Sequence, residues 1–202
     1  SGVMEELAAL QMLKKRAALR KRKRNSVRSV DTESDGAGAE ESLGFALVTG
    51  ASRGIGRALA VELARWEIPL ILVARDLDKL TSLANDIVTC YGVKCCVLQA
   101  DLSDPETPKK IHKTTTDAGL VVDVLVNNAG VCTYGELVES DLDAIDKMVW
   151  VNAGSVTTLT ALYGRDMKKR GRGRILFVSS IVGAVPAAPG VACYSATKAF
   201  EK

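Results

Sequence analysis

Five short runs of aliphatic and β-branched residues alternate with longer stretches of helical periodicity, and this alternation restricts the fold more than any other feature of the chain. The runs are Phe45 to Thr49, Leu70 to Ala74, Lys94 to Ala100, Asp123 to Asn127 and Ile175 to Ser179; the helical stretches lie near 55–66, 77–91, 105–118 and 141–169. The runs are nearly continuous in apolar character rather than alternating. Strands read that way when helices cover both faces of their sheet, and strand–helix–strand order requires parallel strands joined by crossovers. The expectation is an α/β protein with a doubly wound parallel sheet.

The alternation begins only after residue 43. Residues 1–42 hold nine Lys and Arg against seven Asp and Glu, with the basic residues packed between Lys14 and Arg28 and five acids between Asp31 and Glu41. This charge-blocked segment is read as a mostly disordered tail, with a short helical piece over 4–13 that aligns Leu7, Leu10 and Leu13. A run such as KKRAALRKRKR can be a solvated tail, a nuclear signal, a contact with an anionic membrane or part of an organelle leader. Glu5 and Glu6 argue against a transit peptide. The body, 43–202, carries 18 basic and 17 acidic residues, and nothing in it calls for nucleic acid. At 47% hydrophobic the chain is too apolar for wholesale disorder. It has no apolar run approaching the ~20 residues of a transmembrane helix. Five cysteines, with no C-x-x-C pair, suggest reduced thiols and an intracellular, by default cytoplasmic, setting. Cys95 and Cys96 are adjacent strand residues, one per face.

The first run ends in Thr49-Gly50-Ala51-Ser52-Arg53-Gly54-Ile55-Gly56 and passes directly into a helix. Glycines between a strand and a helix allow a sharp turn, let a pyrophosphate approach the main chain and let the helix pack on the sheet. The free N–H groups and positive end of the helix then favour an anion.

The spacing G-x-x-x-G-x-G resembles that of the short-chain dehydrogenase/reductase family. Further motifs follow in order: Asp101 after the third run, Asn127-Asn128-Ala129-Gly130 after the fourth, Asn152, Ser180-x-x-Gly183, and Tyr194-Ser195-Ala196-Thr197-Lys198. The resemblance covers about residue 43 to the end and implies a Rossmann-like dinucleotide-binding domain. It assigns Gly50, Ser52, Arg53, Gly54, Ile55 and Gly56 to the cofactor's phosphates. Asp101 and Leu102 fall to its adenine, Asn128, Ala129 and Gly130 to the adenosine ribose, and Tyr194 and Lys198 to the nicotinamide side. Asn127 steadies the sheet.

The end of the second strand bears on which nicotinamide cofactor binds. An acidic residue there accepts bonds from the ribose hydroxyls of NAD and repels the 2′-phosphate of NADP. Here it is Arg75, whose guanidinium can grip a phosphate, with Arg53 as a second cation. The resemblance therefore implies NADP(H). Asp76, the next residue, is read as the N-cap of the helix starting at Leu77.

Carbonyl reduction needs a hydride from the cofactor and a proton for the oxygen. Tyr194 is the candidate acid/base; a phenol of pKa ~10 needs a nearby cation, and Lys198 lies one helical turn on. Ser180 would hold the substrate oxygen, with Ser179 the competing hydroxyl, and the resemblance implies that Asn152 holds a water linking Lys198 to solvent. Each of these residues also has a plain structural reading as a helix or turn residue. His112, in a lysine-rich stretch, is expected to be exposed, so no Ser/His/Asp hydrolase has a base. Trp66 and Trp150 read as packing residues, and Lys168, Lys169, Arg170, Arg172 and Arg174 as a solvated face.

The resulting expectation is an oxidoreductase interconverting a small-molecule ketone or aldehyde, ketoacyl or steroid-like, and an alcohol, with 132–142 in the substrate mouth. The complete family fold implies a homo-oligomer and two further βα units, roughly 50–60 residues, after Lys202. On that reading the domain is incomplete at its C-terminus and the fifth strand is an exposed edge. The alternative is a non-catalytic or inactive dinucleotide-binding module, a sensor or interaction protein.

Overall fold

The computed structural model describes residues 43–185 and 189–202. The charged tail, with its helical piece over 4–13, lies outside the described residues. In chain order the elements are β1 (Phe45–Thr49), α1 (Gly54–Arg65), β2 (Leu70–Ala74), α2 (Leu77–Tyr91), β3 (Cys95–Gln99), α3 (Thr107–Asp117), β4 (Val122–Asn127), α4 (Leu142–Val149), α5 (Ser155–Lys169), β5 (Arg174–Phe177) and α6 (Ala192–Phe200). The strands form one sheet in the order β3-β2-β1-β4-β5. Every pairing is parallel, with Leu47 opposite Ile71 on one side and Leu125 on the other.

The apolar runs follow this order. The three central strands are buried along nearly their whole length, whereas β3 and β5 at the edges are half-buried. Leu47, Ile71, Leu125 and Leu159 are almost wholly excluded from solvent and share a cluster with Ile111, Tyr163 and Met167. Burial of one such side chain contributes about 1.5–3 kcal/mol. Leu63, Leu80, Leu83 and Ile87 of α1 and α2 are equally buried, the amphipathic spacing that a covering helix requires. All five cysteines are free thiols, with Cys95 and Cys96 both in β3. Burial pushes the Cys95 thiol up to about 12.

Local chemistry sets the boundaries. Asp76 caps α2, accepting from the Lys79 N–H at 3.1 Å and from the Lys79 ammonium, and Gly92 ends that helix in the left-handed region at φ 65°. The fifth strand is shorter than the apolar run that announced it: Val178 N–H donates to Asn127 O at 2.9 Å, after which Ser179 and Ser180 leave the sheet for a 3₁₀ turn, Ile181–Gly183. The helical stretch 141–169 is likewise not one α-helix. Between α4 and α5 lies a π turn, Trp150–Gly154, in which Asn152 is fully buried. The Trp150 ring lies against Gly154.

Two surface expectations are corrected. His112 is half-buried rather than exposed; its Nε2 lies 2.7 Å from Asp166 Oδ2 and its ring meets Tyr163 edge-on. Arg170 and Arg172 belong only partly to a solvated face, because both guanidinium groups reach the buried Asp123 carboxylate, at 3.4 and 3.2 Å. Arg170 also donates to Val122 O at 2.7 Å. Trp66 is half-buried where α1 ends.

Candidate functional site

In an open parallel sheet ligands bind beyond the carboxyl ends of the strands, where the strand order reverses. Here that point lies between β1 and β4, and a groove of about 660 Å³ opens there. Its floor is the glycine turn: Gly50, Ser52, Arg53, Gly54 and Ile55 all line it. Gly50 takes φ +65°, and a methyl on it would come within 2.8 Å of the Asn128 amide and 3.0 Å of the Ala129 backbone, so only glycine lets the two loops close. Gly56 sits buried in the first turn of α1.

The two loops are tied together by Thr49. Its hydroxyl donates to Val126 O and accepts from the N–H groups of Asn128 and Ala129, both at 3.0 Å. The Asn128 amide in turn donates to Thr49 O at 2.8 Å. Asn127 turns to the other side and donates to Thr160 Oγ at 3.1 Å, bracing β4 against α5.

The electrostatics of the groove suit an anion. No side chain caps α1 and no acidic residue stands in its first turn, leaving the positive helix end open to a ligand. Arg53, Arg75, Lys79 and Lys147 line the walls. The one carboxylate beside Arg75 in sequence, Asp76, is bound to Lys79, and its pKa is lowered first by that hydrogen bond. Asp101 and Leu102 form the far wall. Asp101 accepts from Ser103 N–H at 3.0 Å, a turn-forming bond. Partial burial opposes its charge, but the Ser103 bonds and the cations Arg75 and Lys147 outweigh it and hold the carboxyl below the ordinary range. Phosphate-sized cradles at a helix end, cations around them and a glycine floor fit a phosphorylated dinucleotide. Among the described residues no group of three or more His, Cys, Asp or Glu is placed to hold a metal ion.

The candidate proton-transfer residues adjoin the groove through Gly130. A methyl built on Gly130 would lie 3.4 Å from both Lys198 Nζ and Asn152 Oδ1. Asn152 accepts from Val131 N–H and donates to Val131 O, both at 2.9 Å, and to Thr197 Oγ at 3.0 Å. Both amide hydrogens are thus bonded to protein, and Asn152 clamps the loop after β4 onto α6. Ser179, the competing hydroxyl, donates to Lys198 O at 2.6 Å. Ser180 caps the 3₁₀ turn and stands close enough to the Tyr194 phenol to lower its pKa. Gly183 explains the Ser-x-x-Gly spacing, because a methyl there would lie 2.6 Å from the Lys198 carbonyl carbon.

Tyr194 is half-buried, and burial first, then the charges of Cys132 and Glu201, raise its pKa against the Ser180 hydrogen bond. Lys198 is buried, donating to Val178 O at 3.0 Å and to both oxygens of Glu201 at 2.8 Å. Sequence reasoning missed Glu201, Thr49, Thr197, Lys79 and Lys147. Thr49 stood in the quoted glycine motif and Thr197 in the Tyr-to-Lys motif; Lys147 gave no signal, since its approach to Asp101 depends on how α4 docks.

A family model described as short chain dehydrogenase matches residues 44–202. The very-long-chain 3-oxoacyl-CoA reductase of Anas platyrhynchos is 40% identical over 160 residues, covering 77% of this chain and 51% of that protein. The Homo sapiens reductase of the same name is 38% identical over 169 residues, 81% of this chain and 53% of its own. The chain thus spans about half the length of the curated relatives it matches. Among solved structures, a short-chain dehydrogenase from Sphingobium yanoikuyae in complex with NADPH superposes with TM-score 0.73 at 35% identity, covering 78% of this chain and 61% of that one. A metagenomic short-chain oxidoreductase in complex with NADP gives TM-score 0.74 at 33% identity, covering 78% and 70%. Among the described residues no helix is long and apolar enough to cross a membrane.

Proposed function

The chain belongs to the short-chain dehydrogenase family of oxidoreductases, and on that premise we propose that it serves NADP(H)-dependent reduction of a carbonyl, with a 3-oxoacyl thioester as the first substrate to test. The observation that carries the reading is the continuity at Gly130, where the wall of the anion-suited groove meets Lys198 and, through α6, Tyr194. The substrate class comes from the relatives named 3-oxoacyl-CoA reductase, and the exposed apolar residues Tyr134, Val138 and Leu142 of the segment that the family resemblance gives to the substrate mouth suit an acyl chain.

When bound, NADPH supplies the hydride. The N-terminus of α1 and the backbone of the glycine turn hold the pyrophosphate, and Arg75 with Arg53 holds the 2′-phosphate. Asp76 is paired with Lys79, so the two charges partly offset each other beside that phosphate and Arg75 and Arg53 carry the attraction. The Ser180 hydroxyl donates to the substrate oxygen and steadies the charge developing on it. Tyr194 gives its phenolic proton to the same oxygen, and the Lys198 ammonium stabilises the phenolate left behind. Asn152 acts through others, fixing the loop at Val131 against Thr197 of the Tyr-to-Lys turn.

The test is NADPH oxidation with 3-oxoacyl-CoA substrates, alongside NADPH binding, for the parent chain and Tyr194→Phe. The substitution is expected to abolish turnover and leave binding in place. Retained turnover overturns the assignment of Tyr194. Parent binding without any turnover supports instead a nucleotide-binding module.

A further inference from the structure

We propose that Glu201 is a positioning residue for Lys198: its carboxylate holds the ammonium in an arrangement saturated by protein groups, and Lys198 serves a cofactor ribose and the Tyr194 phenol only when that grip is released. The inference rests on the reading of Tyr194 and Lys198 given above. An ammonium group has three protons to donate. In Lys198 two go to the oxygens of Glu201, each at 2.8 Å, and the third to Val178 O at 3.0 Å. None is left for a hydroxyl in the groove, although Nζ already stands beside its wall at Gly130.

The pair is enclosed, with side-chain exposure of 5% for Lys198 and 2% for Glu201, so water does not compete for either charge. In such surroundings a carboxylate cancels most of the field of the cation it binds. The same carboxylate also bears on Tyr194, where burial is the larger influence. The groups that face its phenol are the Ser180 hydroxyl, the Cys132 thiol and the Glu201 carboxylate; burial and the two acidic groups raise it, and only Ser180 lowers it. A phenol that is to act near neutral pH needs the opposite bias. Glu201 stands one turn beyond Lys198, close enough to hold it, and Lys198 has only to swing its side chain to exchange Glu201 for a ribose hydroxyl. Loss of the grip therefore changes two quantities together, the affinity for the dinucleotide and the ionisation of Tyr194.

Glu201→Gln in the full chain tests this. With tyrosines labelled at Cζ with carbon-13, and Tyr194→Phe identifying the resonance, the cofactor-free Tyr194 midpoint is expected to fall by about one pH unit. The NADPH dissociation constant, from fluorescence titration, is expected to fall about tenfold. An unchanged midpoint and affinity in Glu201→Gln, while Lys198→Met weakens binding, would overturn the inference and leave the site reading intact. If Lys198→Met changes neither quantity, the site reading itself fails and the inference falls with it. Should Glu201→Gln not fold, Glu201→Asp, one methylene shorter, must shift both quantities in the same direction, and no shift refutes the proposal.

Discussion

Replacing Gly183 by alanine puts one methyl group where the fold has no room. It would lie 2.6 Å from the carbonyl carbon of Lys198, 2.7 Å from its oxygen and 2.8 Å from the Ala199 nitrogen. Carbon atoms rest ~3.5–4.0 Å apart, so the 3₁₀ turn and α6 must separate by about 1 Å. All three neighbours are backbone atoms, so no side chain can swing aside. Overpacking of this kind costs about 1–3 kcal/mol. At ~2–4 °C per kcal/mol for a domain of this size, the melting temperature should fall by roughly 2–12 °C. The same displacement stretches the 2.6 Å bond from Ser179 to Lys198 O and moves Ser180 relative to Tyr194. A misplacement of ~1 Å at a reacting centre can cost on the order of 10²-fold in rate. Gly164→Ala is the matched control. It lies within α5, and its methyl meets only Ile175 Cδ1 at 3.7 Å, an ordinary contact. There alanine should stabilise by about 0.5–1 kcal/mol. Thermal and urea denaturation followed by far-UV circular dichroism gives both values, and NADPH turnover gives the rate. If Gly183→Ala is as stable as the parent, or if the two substitutions move stability in the same direction, the close approach of turn and helix is wrong.

Arg75→Asp should weaken NADPH binding by roughly 10- to 150-fold, the equivalent of about 1.5–3 kcal/mol for a bond to a charged group, and leave NADH binding little changed; an unaltered ratio of the two dissociation constants would contradict it. Burial pushes the Tyr163 phenol up to about 12, against the pull of its bond with Thr115 at 2.8 Å. The unfolded chain loses that proton near pH ~10, so native stability should decline as pH rises from about 10 towards 12. Cys95 and Tyr194, whose pKa values are also raised, add to the same decline, so Tyr163→Phe should make it shallower while costing ~1 kcal/mol at neutral pH, and urea midpoints that fall in parallel for both proteins would refute it. Asp76 has its carboxyl held below the ordinary range, first by the Lys79 side chain and then by its N–H. Its contribution is therefore present above the ordinary carboxylate value and lost as pH falls through the depressed one, so Asp76→Ala should destabilise at pH 7 and converge with the parent in strong acid. A gap that persists unchanged to the lowest pH would count against the cap.

Most of the fold was legible because it depends on local pattern. Phe45–Thr49, Leu70–Ala74 and Leu77–Tyr91 coincide with β1, β2 and α2, and the N-cap role of Asp76 follows from its place before a helical stretch. Boundaries failed where a tertiary contact decides them. Ser179 reads as the end of an apolar run, yet a helix carbonyl 19 residues away takes its hydroxyl. The stretch 141–169 reads as one helix, because a π turn leaves no mark in hydrophobic spacing. His112 looked exposed among lysines, since nothing in its neighbourhood announces Asp166 on another helix.

The sequence by itself determined the parallel α/β architecture, the glycine turn, the cationic residue after β2 and the Ser, Tyr and Lys of the family motifs. Each of these is set by residue type at fixed spacing along a strand, turn or helix. Only the tertiary structure decided how those side chains are partnered: Ser179 used for structure and Ser180 facing Tyr194, Asn152 clamped to Val131, Lys147 brought to Asp101, and Lys198 saturated by Glu201 and Val178. The reason is physical. Spacing fixes which groups can meet, whereas the state of a buried charge depends on every donor and acceptor the packed chain brings within about 3 Å of it.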